Sequence, residues 1–228
     1  NNEIVPNPAT KNHLNIVIDT SSSTNKMEGS KTRYEWFAHA IKQIPIENIK
    51  NLNLIQITFF DTVIRKQYLF HRSATGTFPE YKKYLNSNKE LSGINPFGGG
   101  TQLYRSICES EESVLSQMGQ NETIISLIFT DGETSESLNR RQTFKNRDTL
   151  KNTIGKLCNM PFTRIFIGVG SLDKKVGECG TAIFIPSGDK LSKSLSPLSD
   201  LINNINMTQL KVEQMTGNIL SETLFSEY

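Results

Sequence analysis

Cysteine is scarce in this 228-residue chain: Cys108, Cys158 and Cys179 are the whole supply, at wide spacings. An odd count without a CxxC pair excludes a zinc ribbon and a dense disulfide framework. Three reduced, mostly buried thiols are expected, with a Cys158–Cys179 bridge the alternative left open. No apolar stretch approaches the roughly 20 residues a spanning helix needs, so direct membrane insertion is not expected. Neither sign of charge dominates: 25 Lys and Arg stand against 23 Asp and Glu, a net +2, and no long basic run occurs. Nucleic acid is therefore not an expected partner. The three histidines, His13, His39 and His71, form no recognisable catalytic or ligand set. Neither GxSxG nor GxxxxGK[ST] appears, which removes the sequence support for Ser-His-Asp catalysis and for a P-loop. The chain opens on "NNEIVPNPAT", with no Met and no basic-then-apolar signal. That and the odd cysteine count favour a cytoplasmic location, with the cell surface or secretion open if this is a piece of a longer chain.

What is there is a soluble, globular composition, 36% hydrophobic and 21% charged. Short apolar runs alternate with amphipathic segments. "HLNIVIDT" reads as a first strand. "KTRYEWFAHAIKQI" reads as a helix with Tyr34, Phe37, Ile41 and Ile44 on one face. "LNLIQITFFD" is a second strand. "VIRKQYLF" follows too closely for a helical crossover, so it pairs antiparallel at an edge. A short helix is expected near residues 81–85. "GGGTQLYRSICESEESVLSQM" reads as a glycine loop opening a long helix, with Thr101 at the N-cap and Leu103, Ile107, Val114 and Met118 facing inward. "ETIISLIFTDG" is a strand buried on both faces. Beyond it come a helix over about 141–157, the strand "TRIFIGVG", a short helix in "LDKKVGECG", the strand "TAIFIP" and a last helix in "LSDLINNI".

This order predicts an α/β fold: a Rossmann-like three-layer sandwich with a mostly parallel central sheet, one antiparallel edge strand and helices on both faces. The expected organisation is a polar tail over 1–12, one domain over 13–207 and an extension, helical in part, over 208–228.

Open parallel sheets bind ligands beyond the carboxyl ends of their strands. Three strands here end on Asp19, Asp61 and Asp131, and the glycine run before Thr101 opens a helix on the same rim. Clustered carboxylates repel unless they are protonated or bridged by a cation. Hydroxyls cannot neutralise them, but they can complete the oxygen-only shell that Mg²⁺ prefers. In "DTSSST" the strand-like alternation puts Asp19, Ser21 and Ser23 on one face, with Thr20 and Ser22 as spacers. Read alone, such hydroxyls equally suit a turn that caps its own backbone. Asp61 reads as a turn residue rather than a ligand.

Together these residues resemble the metal-ion-dependent adhesion site of a von Willebrand factor type A (VWA) domain. D-x-S-x-S is supplied by Asp19, Ser21 and Ser23, the loop Thr by Thr101 in "GGGTQLY", and the third-loop Asp by Asp131 in "IFTDGE". The resemblance covers about residues 13–207. It implies Ser21, Ser23 and Thr101 as hydroxyl ligands, Asp19 and Asp131 acting mostly through waters, and Mg²⁺ (or Mn²⁺ or Ca²⁺) as the cation. It implies a protein partner that completes the shell with a Glu or Asp oxygen. Lys26, Gly100 and Glu133 would lie on the partner-facing rim. One departure stands out: Thr24-Asn25-Lys26 intervenes before "MEG", where the family often has Met directly. The longer loop offers a partner contact, and Lys26, if folded inward, lowers metal affinity.

The resemblance thus implies a non-enzymatic, cation-dependent protein-interaction module of the adhesion or adaptor kind. A metal-dependent phosphohydrolase or phosphotransferase is the rival from another class, since such enzymes also place Asp at strand ends. A scaffold with metal-independent binding is the third reading.

Overall fold

The computed structural model describes residues 11–44, 46–49, 51–87, 89–119, 122–131, 163–169 and 181–185. Within them runs a six-stranded sheet in the order β5-β4-β1-β6-β7-β8. Its strands are β1 (Lys11–Asp19), β4 (Leu52–Phe60), β5 (Ile64–His71), β6 (Glu122–Thr130), β7 (Thr163–Val169) and β8 (Thr181–Ile185). A two-residue hairpin pairs β2 (Met27–Glu28) with β3 (Lys31–Thr32). The helices among the described residues are α1 (Arg33–Lys42), α2 (Pro79–Asn86) and α3 (Leu103–Leu115), with three short 3-10 turns between elements.

β1 lies between β4 and β6, parallel to both, and is buried from Asn12 to Asp19. The strand begins two residues earlier than expected: Lys11 and Asn12 pair with Glu122 and Thr123, so the tail gives way to the sheet at Lys11. β5 pairs antiparallel with β4 through a two-way register from Leu54↔His71 to Phe60↔Ile64. Its exposed Arg65, Lys66 and Gln67 suit an edge, where charged side chains discourage pairing with another chain.

The strand alternation sorts the core into two layers. Leu14, Ile16 and Ile18 of β1 join Tyr34, Phe37 and Ile41 of α1 and Tyr81 and Tyr84 of α2. Val17 turns the other way, toward Leu103, Tyr104 and Ile107 of α3, with Phe60, Ile128 and Phe166. Helices thus cover both faces of a mostly parallel sheet. Each fully buried Leu, Ile or Phe contributes about 1.5–3 kcal/mol against exposure.

Local signals explain the helix starts. Thr32 Oγ1 accepts from Glu35 N–H at 3.1 Å and Glu35 Oε2 accepts from Thr32 N–H at 2.7 Å, a capping box. Pro79 occupies the first turn of α2, where its missing N–H costs nothing. α3 differs from expectation. It starts at Leu103 and its boundary residue is Gln102, without a side-chain cap. The Gln102 N–H donates instead to the Asp61 carbonyl at 2.8 Å, which holds the chain extended past Thr101. Thr101 is therefore not the N-cap. Met118 lies beyond the helix end, yet still packs on Leu54, Val114 and Ile124.

A carboxylate pins the loop before α3. Glu90, buried, accepts from Lys66 Nζ, from Tyr68 Oη at 2.8 Å and from Tyr84 Oη at 3.1 Å, while Tyr34 Oη donates to its carbonyl. The expected helices at 141–157, in "LDKKVGECG" and in "LSDLINNI", and the 208–228 extension, lie outside the described residues. So do Cys158 and Cys179; Cys108 is buried and unbridged. No helix among the described residues is long and apolar enough to cross a membrane.

Candidate functional site

β1 ends on Asp19 and β6 ends one residue before Asp131; both carboxylates are fully buried at the carboxyl rim of the sheet. Asp19 Oδ1 accepts from the Ser21 N–H at 2.8 Å, and Oδ2 accepts from Thr130 Oγ1 at 2.8 Å. Burial pushes the Asp19 carboxyl up to about 7, and the negative charge of Asp131 pushes the same way. The donors from Ser21 and Thr130 oppose this and do not offset it.

Ser21 Oγ and Ser23 Oγ stand 3.0 Å apart. Strand alternation is not what places them. Residues Ser22–Asn25 form a 3-10 turn, because the segment bonds its own backbone: Thr24 N–H and Thr24 Oγ1 both donate to the Ser21 carbonyl, at 3.1 and 2.7 Å. The intervening side chains face other partners. Thr20 Oγ1 donates to the Phe60 carbonyl at 2.8 Å and Ser22 Oγ to the Gly99 carbonyl at 3.2 Å. Thr101 is buried two residues after Gly99, whose carbonyl also accepts the Ser22 N–H at 3.1 Å. Asp19, Ser21 and Ser23 thus share one turn. Asp131 is close enough to repel Asp19, and the Thr101 loop is stitched to the same turn.

The rim positions divide. Gly100 is exposed at the loop tip. Lys26 is exposed and not folded inward, and Thr24, the first of the extra loop residues, is buried rather than offered to a partner. Glu133 lies outside the described residues. Asp61 behaves as a turn residue: Oδ1 accepts from Arg65 Nε at 2.7 Å and from the Thr62 and Val63 N–H groups. Burial pushes this carboxyl up, but Arg65 and those donors hold it below the ordinary carboxylate range. Gly99 packs on its other oxygen, and a Cβ there would sit 3.0 Å from Asp61 Oδ2 and 3.3 Å from Cγ. Gly99→Ala is therefore expected to cost about 1–3 kcal/mol by overpacking. Gly98→Ala, which meets nothing within 4 Å, should leave the melting temperature unchanged. Equal melting temperatures for both variants would contradict this packing.

Two residues at the site escaped the sequence reading. Asn95 Nδ2 donates to the Thr20 carbonyl at 2.9 Å and to Thr24 Oγ1 at 3.1 Å, clamping the turn from the side. No sequence pattern announces it. Arg33, the first residue of α1, reaches Asp131 Oδ2 through Nη1 at 3.3 Å. Its signal was available: a cation at a helix N-terminus opposes the helix dipole and calls for a reason.

Among the described residues, no group of three or more His, Cys, Asp and Glu could hold a metal. The oxygens brought together here are of another kind: the buried Asp19 and Asp131 carboxylates with the Ser21 and Ser23 hydroxyls, beside the Thr101 loop that Gly99 ties to the same turn. All are oxygens, two hydroxyls stand 3.0 Å apart, and the Asp19 carboxyl is raised by burial and then by the Asp131 charge. These residues fit a hard divalent cation.

No protein-family profile matches the chain, and no curated protein sequence does. Solved structures do. Proximal thread matrix protein 1 from the mussel byssus superposes with a TM-score of 0.61 at 17% identity, over 84% of this chain and 48% of that one. The SpaC pilus adhesin of Lactobacillus rhamnosus GG gives 0.62 at 13% identity, over 86% and 30%. The SpRpn10 VWA domain gives 0.54 at 14% identity, over 83% and 96%. This chain thus spans about half the mussel protein and nearly all of the VWA domain. At such identities the likeness is one of fold: a mixed α/β layer structure on a mostly parallel sheet, shared with a VWA domain.

Proposed function

We propose that this chain is a divalent-cation-dependent protein-interaction module and not an enzyme. It would capture a Glu or Asp side chain of a protein partner at the rim formed by Asp19, Ser21, Ser23, Thr101 and Asp131. The observation that carries this reading is the Ser21–Ser23 hydroxyl pair at 3.0 Å beside a fully buried Asp19, whose charged form is disfavoured first by burial and then by Asp131. Asp19 and Asp131 supply the charge that draws a cation in. Ser21, Ser23 and Thr101 supply neutral oxygens that leave its charge only partly offset. A cation so held, Mg²⁺ first and Mn²⁺ or Ca²⁺ as alternatives, offers an open position to an outside carboxylate.

The surface around the site supports a protein partner. Five large hydrophobic side chains are exposed among the described residues, among them Met27 of β2 at 62%, Ile94 at 78% and Val63 at 47%. Met27 follows the Ser23 turn, Ile94 precedes the Asn95 clamp, and Val63 closes the Asp61 turn. Exposed apolar side chains close in sequence to these turns offer apolar contact to a protein partner. The VWA domain and the adhesin among the structural neighbours agree with the reading.

Calorimetry with Mg²⁺ tests the site and pull-downs test the function. The wild type is expected to bind one ion, with Asp19→Ala and Thr101→Ala losing at least tenfold in affinity, the equivalent of about 1.4 kcal/mol. Partner capture should require Mg²⁺ and fail in EDTA and in Asp19→Ala. Capture undiminished by EDTA would favour a metal-independent scaffold. Metal-dependent phosphoester turnover abolished by Asp19→Asn would establish a phosphohydrolase instead.

A further inference from the structure

Arg33 is a cation this chain already keeps at the rim, against Asp131. It opens α1, where the helix dipole disfavours positive charge. The guanidinium is only 12% exposed. Its Nε and Nη2 both meet Glu28 Oε1, at 2.9 and 2.8 Å, and Nη1 reaches Asp131 Oδ2 at 3.3 Å.

The lengths of these contacts differ in a useful way. The Glu28 contacts are short and seat the side chain. The Asp131 contact is the longest of the three and uses the one terminal nitrogen that does not meet Glu28, so it can be given up without unseating Arg33. The seat itself is built by the longer loop after Ser23. Lys26 N–H caps the Ser23 carbonyl, the Lys26 carbonyl accepts the Arg33 N–H at 3.0 Å, and the β2–β3 hairpin presents Glu28. Trp36 Nε1 donates to the Glu28 carbonyl at 2.8 Å and locks that hairpin onto α1. The longer loop after Ser23 thus helps place Arg33 against the site.

We infer that Arg33 is a built-in counter-cation which competes with the divalent ion for Asp131 and so sets the metal concentration at which the site fills. The inference rests on the metal-site reading above. Arg33 neutralises Asp131 in the metal-free protein, and a divalent ion has to displace that contact or tolerate a like charge beside it. Like charges a few ångströms apart at a partly buried site repel more strongly than they would in bulk water. Glu28 moderates the competition by drawing the guanidinium's charge toward itself.

The test is Mg²⁺ calorimetry on the wild type, Arg33→Gln and Glu28→Gln, with melting temperatures in EDTA and in Mg²⁺. Arg33→Gln is expected to bind Mg²⁺ about tenfold more tightly or better. It should melt below the wild type in EDTA and recover in Mg²⁺. Glu28→Gln should move affinity the other way, several-fold weaker. Opposite signs in two variants that each remove one hairpin contact are not what general loosening would produce. An Arg33→Gln protein that folds and binds Mg²⁺ no more tightly than the wild type overturns the inference and leaves the metal site standing. Absence of Mg²⁺ binding in both proteins at millimolar concentrations overturns the metal-site reading, and the inference with it. Binding by Arg33→Gln alone supports both.

Discussion

Glu111→Ala is expected to lower folding stability by about 3–5 kcal/mol, the range for removing one partner of a buried ion pair. Glu111 on α3 and Arg164 on β7 are joined by two contacts of 2.7 Å, Nε to Oε1 and Nη2 to Oε2, and both side chains are essentially without solvent. Ser126 Oγ also donates to Glu111 Oε1 at 2.9 Å. From there a polar seam runs under α3: Asn15 Nδ2 donates to Ser110 and Ser126, and Gln56 Nε2 donates to Asn15 Oδ1 and to the Ser110 carbonyl. Truncating Glu111 takes its bidentate carboxylate away from a guanidinium that is 3% exposed. The paired replacement Glu111→Leu with Arg164→Met should recover most of the loss, because two desolvated charges are removed together. Urea unfolding reads this as a lower midpoint at unchanged slope. A loss below about 1 kcal/mol for Glu111→Ala, the range of exposed pairs, would show that solvent reaches the pair.

In EDTA, stability is expected to fall as pH rises, by about 1.4 kcal/mol per unit between roughly pH 4 and pH 7. Asp19 is the cause. Burial, aided by the Asp131 charge, raises its carboxyl from an ordinary 3.8 to about 7. Between those values the folded chain holds a proton that the unfolded chain has released. The unfolded state thus binds fewer protons, and stability declines with pH until the folded carboxyl ionises near 7. Asp19→Asn keeps an acceptor for the Ser21 N–H and removes the titration. The variant's melting temperature in EDTA should stay flat over the range where the wild type's falls, and the two curves should converge toward pH 4. Parallel curves would show that Asp19 carries no such strain. Mg²⁺ at pH 7.5 should raise the wild type's melting temperature and leave that of Asp19→Asn nearly unchanged.

Much of this protein was legible in its residues. The apolar runs of β1, β4 and β6 lie between turn signals, and the antiparallel β5 follows from its short connection to β4, because crossover length dictates strand direction; the strand order itself came from the structure. The carboxyl rim was legible too: a strand ending on Asp19 or Asp131 abandons apolar packing, and that break shows in a one-dimensional string. Local rules failed where long-range contacts overrode them. Thr101 lost the N-cap position because the Asp61 carbonyl, forty residues away in the chain, took the Gln102 N–H. Ser21 and Ser23 meet through a 3-10 turn because Thr24 bonds back to the Ser21 carbonyl and Asn95 clamps it.

Charge placement lay further still from the sequence. Lys26, adjacent to the candidate ligands in the chain, is exposed, while Arg33 reaches Asp131 across 98 residues. Composition and spacing determined which elements form and which oxygens gather at the rim, since both depend on local periodicity. Only the tertiary structure decided which cation faces those oxygens. That choice depends on where a short hairpin folds, and its energy lies in contacts between residues that sequence proximity does not pair.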